Sequence, residues 1–167
     1  MLAPGMRLGW AEAAPATLER LRSCAVLRSG GCIAPLASAV AHSTLELGLL
    51  QSHLEGHVRP TLASRCGAMA EELDRQLVPL GCAYRRPYGG YFIWLELPQQ
   101  VDSHQLLELA SARHGVRFAP GALSGGAPNA ARLCFAFYSP PELRAAVGRL
   151  AAALQELLGA AGKAPPA

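Results

Sequence analysis

Arg132 stands between Ala131 and Leu133 in an apolar run, where a guanidinium is costly to bury unless it is paired. Its forked donors match a planar carboxylate or a phosphate, in charge-assisted bonds roughly twice as strong as neutral ones. Arg7, after Pro4-Gly5-Met6, offers the same fork. The alternative for each is a strand edge with the charged head in water. His53-Leu54-Glu55-Gly56-His57 sets two imidazoles one helical turn apart, half of a metal site. No third ligand accompanies them and the arrangement is not H-E-x-x-H, so exposed histidines are expected and no metal. Gly121-Ala122-Leu123-Ser124-Gly125-Gly126 lacks the Gly-Lys-Ser ending of a phosphate loop and reads as a flexible surface loop. Ser124 also lacks the neighbours of a G-x-S-x-G nucleophile. Trp10, Tyr91 and Trp94 are expected in a core or an interface.

Elements must position these groups. Arg7 to Ala11 reads as a short strand, and Pro15 opens a helix to about Arg28, broken at Gly30-Gly31. A second helix is expected from about Ile33, and a longer helical stretch from about Thr44 to Val78. Pro60 should kink or split that stretch. Leu62, Cys66, Met69, Leu73 and Leu77 make an apolar stripe along its second half. Strands are expected at Ala83 to Arg86, Tyr91 to Leu97, Val116 to Ala119 and Arg132 to Phe137. In the second, Tyr91, Ile93, Leu95 and Leu97 share one face. Asp102 should cap a helix that stops at Gly115. Ser139-Pro140-Pro141-Glu142 has the form of a capping box and should start a last helix, striped by Leu143, Val147, Leu150, Leu154 and Leu157.

Composition bounds the class. The 167 residues are 51% hydrophobic and 16% charged, with a formal net charge of +3. This fits a folded domain with a sizeable core rather than a disordered chain. The charge is not clustered, which argues against nucleic acid as a partner. No stretch is long and apolar enough for a transmembrane helix, and no membrane partner is expected. Five scattered cysteines without a C-x-x-C pair suggest reduced thiols and a cytoplasmic protein.

Three stretches in order resemble the class I/II, fold-type I aminotransferases that use pyridoxal phosphate, above all the aminoadipate/kynurenine aminotransferase-like enzymes. Leu2-Ala3-Pro4-Gly5-Met6-Arg7-Leu8-Gly9-Trp10 is similar to the segment after their Schiff-base lysine. Pro87-Tyr88-Gly89-Gly90-Tyr91-Phe92-Ile93-Trp94-Leu95 resembles the glycine-led strand of their small domain. Asn129-Ala130-Ala131-Arg132-Leu133-Cys134-Phe135-Ala136 resembles the strand bearing their carboxylate-binding arginine. A bacterial regulator family with a similar C-terminal domain reads much the same, but no DNA-binding segment is seen here.

The resemblance implies an α/β fold: a small C-terminal domain, an α/β sandwich, preceded by a long helix and a remnant of the large domain. Residues 1–43 would be that remnant of the cofactor-binding domain and 44–81 the inter-domain helix, kinked near Pro60. Residues 82–162 would be the small domain and 163–167 a tail. Arg7 would hold the cofactor phosphate and Arg132 the substrate carboxylate. The complete family form would transfer an amino group between an amino acid and a 2-oxo acid. The family's lysine would fall just ahead of Met1, and the one lysine here is Lys163. No catalytic residue is therefore expected, and the chain reads as a truncated form, inactive alone, on which cofactor binding is doubtful. The alternative is a non-catalytic interaction protein, a homodimer or one that pairs with a full-length homologue.

Overall fold

A computed structural model of the chain describes residues 4–28 and 34–161. The Gly30-Gly31 break, Cys32, the helix start at Ile33 and the Lys163 tail lie outside the described residues. The chain divides into two compact units, Met1–Pro60 and Thr61–Ala167.

The first unit is helical. One 3-10 turn, Pro4–Met6, leads into irregular backbone, then α1 (Pro15–Arg22), α2 (Ala25–Arg28), α3 (Pro35–Glu46) and α4 (Leu49–His53). Pro15 and Pro35 each occupy the first helical position, where the missing N–H has no intrahelical partner to lose. Gly48 (φ 68°) takes a left-handed conformation that separates α3 from α4. None of the described residues of α1 to α4 is buried. The strand expected at Arg7 to Ala11 does not form. A lone strand must pair its N–H and C=O groups, and no described strand lies beside it.

A π-helical turn, Leu54–Val58, leads directly into α5 (Arg59–Gln76). Pro60 therefore sits in the first turn of α5, just after the wider turn. The helix type changes just before Pro60, and the helical run from Leu49 to Gln76 is not split there.

In the second unit a four-stranded antiparallel sheet comprises β1 (Ala83–Tyr84), β2 (Phe92–Glu96), β3 (Ala119–Pro120) and β4 (Ala130–Cys134). Its order is β1-β2-β4-β3. Helices α6 (Ser103–Arg113) and α7 (Pro140–Ala161) join the second half of α5 against one face. Leu73 of α5 and Leu77 just after it meet Ile93 and Leu95 of β2, Leu133 of β4, Leu106 of α6, and Leu143, Val147, Leu150 and Leu154 of α7. Alternation in β2 sends Ile93 and Leu95 inward and leaves Phe92, Trp94 and Glu96 on the opposite face.

Local chemistry sets the helix ends. The Asp102 carboxylate accepts the N–H groups of His104 (2.8 Å) and Gln105 (3.1 Å), capping α6. Gly115 (φ 62°) ends that helix, and the Val116 N–H bonds back to the Ala110 carbonyl. The third strand is only Ala119–Pro120 rather than Val116 to Ala119, and the Val116 N–H is spent on α6 instead of a strand neighbour. The last strand starts two residues earlier than expected and stops at Cys134 rather than Phe137, and Phe137 is 79% exposed. Glu142 reaches back to Ser139 N–H (2.8 Å) and Oγ (2.6 Å) at the head of α7.

Candidate functional site

The sheet face turned away from the core carries Arg132. Register sets it opposite Trp94 on β2 and Ala119 on β3, with Phe92 opposite Cys134 one step along the same face. Strand alternation fixes the direction: Ala131, Leu133 and Phe135 are buried, whereas Arg132 and Cys134 are half-buried. The Arg132 guanidinium lies 4.4 Å from the Phe92 ring centroid, a cation–π stack. One Nη donates to Ser124 Oγ at 3.4 Å. Arg132 makes no ion pair among the described residues. A stacked guanidinium without a carboxylate partner retains a donor edge for a planar anion.

Ser124 comes from the loop read as flexible in the sequence. Gly121–Ser124 form a 3-10 turn, and the loop closes through Gly126 N–H to the Gly121 carbonyl (3.0 Å). A Cβ on Gly121 would meet Ala130 Cβ at 2.6 Å and its carbonyl oxygen at 2.9 Å. A Cβ on Gly126 would fall inside the Trp94 ring contact. The glycines thus let this loop lie flush on the sheet. Ser124 was weighed in the sequence only as a nucleophile and set aside, and Phe92 was not singled out, although alternation along Tyr91 to Leu97 already placed Phe92 and Trp94 on one face.

Arg7, in the first unit, is exposed, has φ 54° and makes no ion pair among the described residues. A non-glycine residue in this region is uncommon and bears strain of about 1–2 kcal/mol; such outliers cluster at functional sites. Trp10 is 74% exposed, not in a core. His53 and His57 stack with ring centroids 5.5 Å apart, and no group of three metal-ligating side chains occurs among the described residues. A groove of about 500 Å³ opens elsewhere in the second unit, beside Arg117, Phe118, Tyr138 and Arg149. It does not include Arg132. No helix among the described residues is long and apolar enough to cross a membrane.

No family model matches the chain. It is 30% identical over 159 residues to an aromatic-amino-acid aminotransferase of Thermococcus litoralis, covering 93% of the chain and 37% of that relative. It is 33% identical over 163 residues to a 2-aminoadipate transaminase of Thermus thermophilus, covering 95% and 39%. Among solved structures, the alpha-aminoadipate aminotransferase of Thermus thermophilus, complexed with N-(5'-phosphopyridoxyl)-L-leucine, superposes with a TM-score of 0.76. That match is 31% identical and covers 94% of the chain and 40% of the enzyme. The relatives that match more than nine tenths of the chain at 30% identity or more are aminotransferases, a pyridoxal-phosphate-dependent family. The match is consistent with a C-terminal portion of such an aminotransferase, and the fold is the α/β small domain of the fold-type I class. The aminotransferase-like chain spans about two fifths of the length of the relatives it matches.

Proposed function

We propose that these residues are the carboxylate-gripping part of an aminotransferase that moves an amino group between an amino acid and a 2-oxo acid. Arg132 carries the reading: its guanidinium is stacked on Phe92, turned away from the core, and without an ion-pair partner among the described residues. Its free edge would take the substrate α-carboxylate through two parallel N–H···O bonds, which fix both position and angle. Arg7 would take the cofactor phosphate, and its strained backbone suits a residue held for a ligand. Bound pyridoxal phosphate supplies the electron sink that such amino-group transfer needs.

Residues 1 to 162 contain no lysine, so in this reading they do not turn over substrate by themselves. In this reading a lysine other than Lys163 completes the site. A cytoplasmic setting in amino acid metabolism is part of this reading, supported by five scattered cysteines without a C-x-x-C pair and by the aminotransferase relatives. The exposed apolar side chains of the first unit, Leu36 at 79% and Trp10 among them, favour a second reading beside the first. In that reading the chain is a non-catalytic partner that pairs with itself or with a full-length homologue.

Two measurements test the proposal. Pyruvate titrated into the chain should bind saturably, and Arg132→Ala should abolish that binding. Pyridoxal phosphate followed by borohydride and peptide mass mapping should label only Lys163 or the terminal amine, and substoichiometrically. Equal pyruvate binding by wild type and Arg132→Ala refutes the carboxylate role. Stoichiometric labelling at one site refutes the need for an outside lysine.

A further inference from the structure

We infer that Phe92 and Ser124 are positioning residues for Arg132, and that Gly121 and Gly126 seat the loop that brings Ser124 to it. The inference rests on the carboxylate reading of Arg132 but concerns how that guanidinium is aimed. An arginine side chain has four rotatable bonds, and holding its head in one orientation before an anion arrives removes an ordering cost from binding. Two contacts from different elements do this. The Arg132 guanidinium carbon lies over the Phe92 ring on β2, 4.4 Å from its centroid, so the ring covers one side of the head. Ser124 Oγ, 3.4 Å from an Nη, takes one donor on its edge. A guanidinium covered on one side and tied at one Nη keeps its other donors as the place for a carboxylate. Contacts of this kind are often long before a ligand is bound and tighten afterwards.

The loop is built to hold Ser124 there. It meets the sheet where Gly121 faces Ala130 and Gly126 faces Trp94, with no room for a Cβ at either point. Between them, Gly125 (φ 76°) turns the chain and its N–H bonds to the Ala122 carbonyl at 3.2 Å. Ala130 precedes Arg132 by two residues on β4 and Trp94 is its register partner on β2. The loop therefore rests on the same two strands that carry the guanidinium and its platform, so any lift of the loop separates Ser124 from Arg132.

The test is the Arg132 Nε–H signal in ¹⁵N NMR of the full chain, through its exchange with water. Wild-type Arg132 should exchange more slowly than exposed Arg20. Phe92→Leu should raise the rate about threefold, the scale of one exposed cation–π contact, while Phe92→Tyr keeps it near wild type. Ser124→Ala should raise it about twofold and Ser124→Thr restore it, as expected for one modest hydrogen bond. Gly126→Ala should match Ser124→Ala although it removes no contact to Arg132. A wild-type rate equal to that of Arg20, or equal rates in all variants, overturns the inference. Pyruvate is added in a second arm. If it moves no Arg132 signal, the carboxylate reading fails while the exchange data still decide the positioning. If it moves the signal equally in every variant, the positioning inference fails alone.

Discussion

Cys82 and Cys24 show how burial governs chemistry at single residues. Cys82 is 4% exposed, and burial pushes its thiol up to about 11, so it holds almost no thiolate at neutral pH. Cys24 is exposed. Iodoacetamide at pH 8 should modify Cys24 quickly and leave Cys82 unmodified until denaturant is added; early modification of Cys82, read by peptide mapping, would contradict its place in the core. Glycines divide in the same way. Gly121 faces the Ala130 backbone, which cannot swing aside, so Gly121→Ala should destabilise by about 1–3 kcal/mol through overpacking. Gly159 lies inside α7 with nothing within 4 Å of a Cβ, so Gly159→Ala should stabilise by about 0.5–1 kcal/mol. Urea midpoints of the two variants should move in opposite directions. Sequence alone lists both as glycines; only the neighbouring atoms assign the sign.

At the scale of elements, α6 and α7 are tied together where α6 ends. Glu156 on α7 accepts from Arg113 and, at 3.0 Å, sits against His114 Nε2. The His114 hydrogen bond, with the charge of Arg113, holds the Glu156 carboxyl below its ordinary 4.5. A carboxyl whose folded value is lowered adds stability that is fully present above the unfolded value. That contribution is lost as pH falls through the lowered folded value. Thermal melts should therefore show the midpoint of wild type falling below about pH 4.5 more steeply than that of Glu156→Gln. Parallel acid limbs would show that the cluster does not link the helices. The starts of these helices were legible in the sequence because capping is local: Asp102 accepts from residues two and three positions on, and Glu142 accepts from Ser139 three positions back. The Arg113–Glu156 contact was not, because it joins residues 43 apart in the chain.

At the scale of the molecule, burial is uneven. The buried hydrophobic residues, from Ala68 to Leu154, belong to the second unit, whereas no described residue of α1 to α4 is buried. Helices of 4 to 12 residues without a packed face are marginal in water. Hydrogen exchange on the chain should find slow amides in β2, β4, α6 and α7 and fast ones from Pro15 to Arg28. Equal protection in both would mean that the first unit has acquired a partner, by self-association or otherwise. Analytical ultracentrifugation on the same sample separates these cases.

What the sequence determined by itself was periodic or adjacent. The stripe of Leu143, Val147, Leu150 and Leu154, the inward set Ile93 and Leu95, the caps and the three family-like stretches all depend on spacing within a few residues. Such spacing is a property of the chain before it folds. The tertiary structure decided which groups meet. Phe92 lies under Arg132 because β2 and β4 pair in one register, and a slip of one residue would turn Phe92 to the core. Ser124 reaches Arg132 because two glycines fit against Ala130 and Trp94. The Arg7 strand failed to form because a strand is completed by a neighbour, and hydrogen bonds to another segment are not written in its own residues.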